Sequence, residues 1–412
     1  MRIAAALPAA LVLLSGCRPA TPRAGTEAPL RAAAPFRTGL DVLQATGFAA
    51  LRGKRVGVVT NPTGVDRSLR ALPEIVAAAD GVTLAAVFGP EHGVTGAGAA
   101  GDRVKGVVDP RLGVPVHSLY GEVRRPTREM LAGIDVLLYD MQDAGSRAYT
   151  YLSTLKEVLV AAGESRVEVW VLDRPSPCGV DAYEGPVLEP GRESFVGCHA
   201  VPLRPGLTVG EFARMVNEES ALGASLRVIP MEGYRRDLEY EATGLVWIAP
   251  SPNIPTVDTA LVYAGTVLIE GTNLSEGRGT TRPFQLIGAP WLDGRRIVEA
   301  LDAVALPGCA LRAATFTPWD SKHEGKECGG VEIHVTDRRS FRPVALATAL
   351  LLAVTRSHPD RFELKKETFD RLAGTSRLRE AIEKGAPLEE IVESWKSGLE
   401  EYARRRAKYL LY

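Results

Sequence analysis

The chain has 412 residues, 45% hydrophobic and 24% charged, with 49 basic residues against 50 acidic ones. That is an ordinary globular composition, long enough for two domains. No basic excess or basic run appears, which excludes the usual electrostatic footprint of a nucleic-acid binder. Beyond its start, no apolar stretch reaches the roughly 18 residues of a membrane-spanning helix.

Residues 1–17, MRIAAALPAALVLLSGC, combine a basic Arg2, an apolar stretch and a small-residue end. This is the pattern of a secretory signal peptide. Its last residues, Leu14-Ser15-Gly16-Cys17, resemble the lipobox of bacterial lipoproteins, in which the cysteine becomes the acylated first residue of the mature chain. The expectation is an exported protein, anchored to a membrane through lipid on Cys17 and facing the periplasm or the cell exterior. Residues 18–37 are rich in Pro, Ala and Arg and read as a flexible stalk, with folding starting near Thr38. Cys178, Cys198, Cys309 and Cys328 lack the CxxC spacing of a metal site; disulfides and buried thiols both stay open, with Cys309 and Cys328 a reasonable pair.

Four runs then share one design: RVGVVTNPTG from Arg55, TLAAVFGPEHG from Thr83, IDVLLYDMQDAG from Ile134 and VEVWVLDRPSP from Val167. Each starts as a continuous apolar run, which suits a strand buried on both faces of a parallel sheet. Between them, residues 68–79, 126–133 and 151–163 read as helices. The alternation predicts βαβ units and an α/β, doubly wound, mainly parallel sheet. Asn61, then Glu91 and His92, then Asp140, Gln142 and Asp143, then Asp173 and Arg174 all fall where a strand gives way to a loop. In such sheets those ends share one edge, and ligands bind there.

The later segments are a helix capped by Thr208, a strand over Leu226–Gly233, a glycine-rich run over Val267–Phe284 and a strand over Gly329–Asp337. An amphipathic helix is expected over Leu388–Tyr412. A boundary near Tyr240 divides residues 38–240 from a second domain, 241–412. The GAGAAG at Gly96–Gly101 follows no strand directly and opens no helix, so it reads as a mobile loop rather than a dinucleotide fingerprint. P-loop, HExxH and GxSxG patterns are absent, and the six histidines never pair at helical metal spacing. No cofactor or metal is expected.

Carboxylates offer the better chemistry. Glycoside hydrolysis commonly needs one carboxyl group as general acid and a second group as base or nucleophile. Glu91, beside apolar Val87 and Phe88, suits the acid, with Asp140 or Asp143 at the next strand end as its partner. The competing role for these groups is to cap the following helix.

In this order, FGPEHG, YDMQDAGSRAYTY, LDRPSP, SPNIPT and EGTNLSEGRGTTRPF resemble the NamZ-type exo-β-N-acetylmuramidases. Those exported bacterial enzymes remove N-acetylmuramic acid from the non-reducing ends of peptidoglycan fragments. The likeness runs from about Gly39 to Tyr412. It implies a Rossmann-like catalytic domain, a smaller C-terminal α/β domain and a cleft between them, with Glu91 as the acid and His92 orienting it or a sugar hydroxyl. Two departures stand out: Thr95 replaces an arginine of the family's pattern, and Ala148 an aromatic residue. The lactyl carboxylate of muramic acid calls for a bidentate arginine. Arg147, Arg278 and Arg282 are candidates, each equally able to be a structural partner of Asp143 or Glu276. Asn61, Gln142, Asn253 and Asn273 offer amides to the sugar, and Tyr149 or Tyr151 a face to stack on. The rival readings are a non-catalytic wall-binding lipoprotein and an amidase or esterase on the same fold.

Overall fold

The structure, a computed structural model, describes residues 36–96 and 107–412. The signal and stalk segments with Cys17, and all of the GAGAAG loop except Gly96, lie outside the described residues. Helix α1 (Gly39–Ala45) starts at a capping box between Thr38 and Asp41. Strand β1 (Arg55–Thr60), helix α2 (Leu72–Ala77) and strand β2 (Thr83–Gly89) follow. Next come β3 (Val107–Val108), β4 (Pro115–Ser118), β5 (Val136–Asp140), α3 (Tyr151–Ser165) and β6 (Glu168–Leu172). A ribbon of β7 (Glu184–Val187) and β8 (Pro202–Arg204) precedes α4 (Val209–Glu219) and β9 (Leu226–Ile229). As expected, α4 is capped by Thr208, in a box with Glu211.

These strands build a sheet in the order β3-β4-β2-β1-β5-β6-β9. All neighbours pair in parallel except β3, an antiparallel edge strand beside β4. Side chains alternate between two apolar layers. Val56, Val58, Val136 and Leu138 pack with Leu40, Leu43 and Leu72 of α1 and α2. Val59, Leu137, Tyr139 and Val171 pack with Leu155, Val158 and Phe212 of α3 and α4 on the other face. Burial on both faces is the reason the runs are continuous rather than alternating. The chain leaves β1 outward through β2 to β4, then returns to β5 on the other side of β1. That reversal opens a crevice beyond the carboxyl ends of the strands.

The second half starts with α5 (Val257–Thr266), which continues as a 3-10 turn over Val267–Gly271. A three-stranded antiparallel sheet follows from β10 (Leu286–Ala289), β11 (Cys309–Phe316) and β12 (Cys328–Val335), with β12 central. It is accompanied by α6 (Gly294–Leu301) and α7 (Pro343–Ser357), then α8 (Lys366–Ala373), α9 (Arg377–Glu383), α10 (Leu388–Ser394) and α11 (Lys396–Arg406). Leu261, Leu268, Phe284 and Leu350 of this half join the same apolar cluster as Leu155 and Phe212, so both halves share one core.

Local expectations failed where side chains compete with the backbone pattern. Helix α2 begins only at Leu72, because the Asp66 carboxylate accepts from the backbone N–H of Ser68 and Arg70 and Leu69 turns left-handed at φ 60°. Residues 126–133 form turns rather than a helix: flanked by Pro126 and by Gly133 at φ 73°, they are too short to repay nucleation. The C-terminal helix breaks at Trp395, whose side chain is buried, and unwinds after Arg406, where Leu411 N–H donates to Glu211 at 3.0 Å. The Cys309–Cys328 pairing is excluded by register. Cys309 faces Val335 and Cys328 faces Phe316, at opposite ends of one ladder. That separation is about 20 Å at ~3.3 Å per residue, far outside disulfide reach. All four described cysteines are free thiols.

Candidate active site

After β2 the chain makes a tight turn in which Gly93 N–H donates to Pro90 O at 2.9 Å. His92 and Gly93 take φ of 71° and 73°. A left-handed histidine at the third position of such a turn is uncommon and points to function at this spot. Gly89 has no alternative, because an added Cβ would stand 2.7 Å from Val94 N. The turn delivers Glu91, half-buried, to the N-terminus of α3, where the Thr150 hydroxyl donates to Glu91 Oε2 at 2.8 Å. Thr150 occupies the N-cap position yet makes no capping bond to the helix. Its hydroxyl serves Glu91 instead. Tyr120, just beyond β4, completes this side; burial first and the Glu91 carboxylate second push its phenol up to about 12. It therefore stays protonated and able to donate.

Facing these groups across a cleft of about 330 Å³ stand Asn253, Tyr263, Glu270, Arg278 and Phe284. The floor is aromatic. Tyr151 meets Tyr149 at 4.6 Å between centroids, Tyr149 meets Tyr263 at 5.9 Å, and Tyr263 meets Phe284 at 4.7 Å, all edge to face. The Arg278 guanidinium lies 5.0 Å from the Phe284 centroid and pairs with Glu270 at 2.9 Å and Glu276 at 3.2 Å. Lys322 neutralises the far side of Glu276 at 2.9 Å. Desolvation raises the Glu270 carboxyl above its ordinary range, against the pull of Arg278. The site therefore joins two carboxyl groups, a guanidinium, phenols and an amide around an aromatic floor. A glycosidase needs such groups.

Residues 56–258 match the N-terminal family model of the exo-β-N-acetylmuramidase NamZ, and residues 261–412 match its C-terminal model. The chain belongs to the NamZ family. It is accordingly a glycoside hydrolase, and the cleft lies where the two NamZ regions face each other. The chain is similar to the peptidoglycan β-N-acetylmuramidase NamZ of Bacillus subtilis (strain 168), 45% identical over 377 residues, 91% of each chain. Two solved structures of DUF1343 family proteins from Bacteroides fragilis NCTC 9343 share the fold. They have TM-scores of 0.85 and 0.76 at 37% and 30% identity, and each match covers 92% of this chain and 99% of the other.

Within this NamZ-type site the candidate residues separate into two sets. Glu91, His92, Tyr149, Asn253 and Arg278 line the cleft. The others do not. Asp140 is fully buried and held by Arg174 at 2.5 and 2.9 Å, a closed ion pair with no path to a sugar. Asp143 lies behind the aromatic floor: Oδ2 accepts from Gly145 N–H at 2.6 Å, Oδ1 has no partner, and burial pushes the carboxyl up to about 7.

Arg147 is the candidate most fully engaged away from the cleft. It is buried, and its two Nη atoms donate to the carbonyls of Pro186, Val201, Leu372 and Ala373 at 2.7–2.9 Å, so none of their N–H groups is left for a ligand. Asn61 donates to the Tyr151 hydroxyl at 2.7 Å, which in turn donates to Pro250 O at 2.6 Å; both support the floor from behind. Gln142 donates to the carbonyls of Asp143 and Pro175. Asn273 pins the chain at Arg361 and Glu363, and Arg282 pairs with Glu332 at 3.4 Å outside the cleft. Glu276 acts on Arg278 rather than on the cleft.

Sequence reasoning passed over Glu270, Thr150 and Tyr120. Glu270 opens the EGTNLSEGRG run and Thr150 stands inside RAYTY, so both carried a signal. Tyr120, in an unremarked loop, carried none.

Proposed function

We propose that this chain releases N-acetylmuramic acid from the non-reducing ends of peptidoglycan fragments, with Glu91 as the general acid. The observation that carries this reading is the place of Glu91: a half-buried carboxyl group on the cleft wall, hydrogen-bonded by Thr150 and faced by Glu270 and Arg278. Glu91 gives its proton to the glycosidic oxygen, and the Thr150 hydroxyl stabilises the carboxylate that forms. The His92 turn fixes the direction in which Glu91 points. Glu270 supplies the second carboxyl group of the two-carboxylate scheme in place of Asp140 or Asp143. Arg278 receives the lactyl carboxylate through its planar fork, and the aromatic floor carries the sugar face. The signal pattern and Cys17 support the further proposal that the enzyme works outside the cytoplasm on a lipid anchor.

The test is release of sugar from a chromogenic β-N-acetylmuramic acid glycoside by the wild type beside Glu91→Gln. Loss of about 10²-fold or more in kcat, with the fold intact, supports the acid assignment. Robust activity in the variant discards it. An inactive wild type turns the reading toward the wall-binding alternative.

A further inference from the structure

A second set of side chains surrounds the mouth of the cleft, outside the machinery described above. Phe195 and Val196 form the tip of a two-residue turn closed by reciprocal backbone bonds between Ser194 and Gly197 at 3.0 and 3.1 Å. The turn is tied to α3, because Ser153 Oγ donates to Phe195 O at 2.7 Å. Val196 lines the cleft. The Phe195 ring stands 6.2 Å from that of Tyr120, and the Arg124 guanidinium lies 4.6 Å over its face. Arg124 is exposed and forms no ion pair among the described residues, whereas its neighbour Arg125 pairs with Glu157 at 2.7 Å. A planar cation is thus held in place by an aromatic ring. It is not neutralised there.

Glu91 fixes which side of the scissile bond this cation serves. A general acid stands between the sugar that is released and the group that leaves. The deep side of Glu91 is the buried floor of Tyr149, Tyr263 and Phe284. Exposure increases the other way, through half-buried Tyr120 and Phe195 to exposed Arg124. The floor therefore takes the terminal sugar, and the mouth takes what lies beyond the bond.

We infer that Arg124, laid on Phe195 at the mouth of the cleft, forms a leaving-group subsite that binds a carboxylate carried by the saccharide beyond the scissile bond. This rests on the reading of Glu91 given above. Because carboxylates occur on alternate sugars and the released sugar carries one, the first sugar beyond the bond carries none, and the second, with any peptide attached to it, supplies the carboxylate; a chromogenic monoglycoside carries none on its leaving side. The subsite therefore adds selectivity for chain ends over single glycosides, and its contribution falls with salt.

The experiment compares kcat/KM for a peptidoglycan tetrasaccharide with N-acetylmuramic acid at its non-reducing end with that for the chromogenic monoglycoside, in the wild type, Arg124→Gln and Phe195→Ala, at low and high salt. The expected result is a fall in the ratio of about fivefold in Arg124→Gln at low salt, the upper range for an exposed ion pair. A smaller fall is expected in Phe195→Ala, which leaves the cation but loosens it, and both should fade at high salt. An unchanged ratio in both variants overturns the subsite, as does an equal fall on both substrates. A wild type that cleaves neither substrate refutes the glycosidase reading instead. Calorimetric binding of the tetrasaccharide to wild type and Arg124→Gln then decides the subsite alone, equal affinities overturning it.

Discussion

Thr150 and Glu91 lie 59 residues apart in the chain, and the hydroxyl of the first donates to Oε2 of the second over 2.8 Å. The bond ties the turn after β2 to the start of α3, two elements that pack on the sheet through different strands. On the proposed reading, the hydroxyl stabilises the carboxylate left when Glu91 gives its proton to the glycosidic oxygen.

Removing that donor is the first prediction. Thr150→Val, nearly equal in volume, should lower kcat roughly tenfold or more, as expected for a hydrogen bond to a charged group. KM should change little, because the bond supports the reacting carboxyl group rather than the bound sugar. Thr150→Ser should restore most of the rate. A full rate in the valine variant would show that the bond is structural only.

Arg278 lines the cleft, and on the proposed reading it receives the lactyl carboxylate, the one group that separates muramic acid from glucosamine. Arg278→Met should lose about tenfold or more in kcat/KM on a β-N-acetylmuramic acid glycoside. The loss on the matching β-N-acetylglucosamine glycoside should be much smaller. Arg278→Lys, which keeps the charge and loses the fork, should fall between. Equal losses on both glycosides would mean that Arg278 only orders Glu270 and Glu276.

Arg147 makes the opposite forecast. Its guanidinium joins carbonyls at Pro186 and Val201 to those at Leu372 and Ala373, the last two at the end of α8. Arg147→Met leaves four buried acceptors without a charged donor. The expected cost is at least about 3 kcal/mol, read as a lower urea midpoint. Whatever variant protein stays folded should keep near-native KM. A raised KM with unchanged stability would return Arg147 to the substrate.

The Asp143 carboxyl gives stability a pH dependence. Burial lifts it in the folded protein to about 7, above its ordinary value of 3.8. Between those values the folded state holds a proton that the unfolded state has released, so stability falls as pH rises across that window. The difference in urea midpoint between wild type and Asp143→Asn should therefore shift steadily against the wild type from pH 4 to pH 7, then level off. A difference that is flat with pH would show that this carboxyl keeps its charge on folding.

Much of this was legible in the chain, because the strands of a parallel sheet are buried on both faces. Val56–Thr60 and Val136–Asp140 can hardly be anything but central strands, and their ends had to face one edge. The capping box at Thr208 and the PEHG turn carried their own local chemistry. The expectation of a long helix to Tyr412 failed for a different reason: burial of Trp395 and docking of Leu411 on Glu211 outweigh helical periodicity, and neither contact is local.

By itself, the sequence determined the α/β class, the order of the main strands, the edge where polar groups gather and the membership of Glu91 in that gathering. All follow from periodicity, caps and turns, whose range is a few residues. Only the tertiary structure decided which of those groups meets the cleft. Asp140, Arg147 and Arg278 are alike as letters, charged residues inside motifs. Asp140 is closed off by Arg174, 34 residues away, and Arg147 by carbonyls as far as 226 residues away. Arg278 and Glu270 are instead carried across from the second half to face Glu91. A buried charge must find partners wherever the fold places them, and that placement is what a reading along the chain lacks.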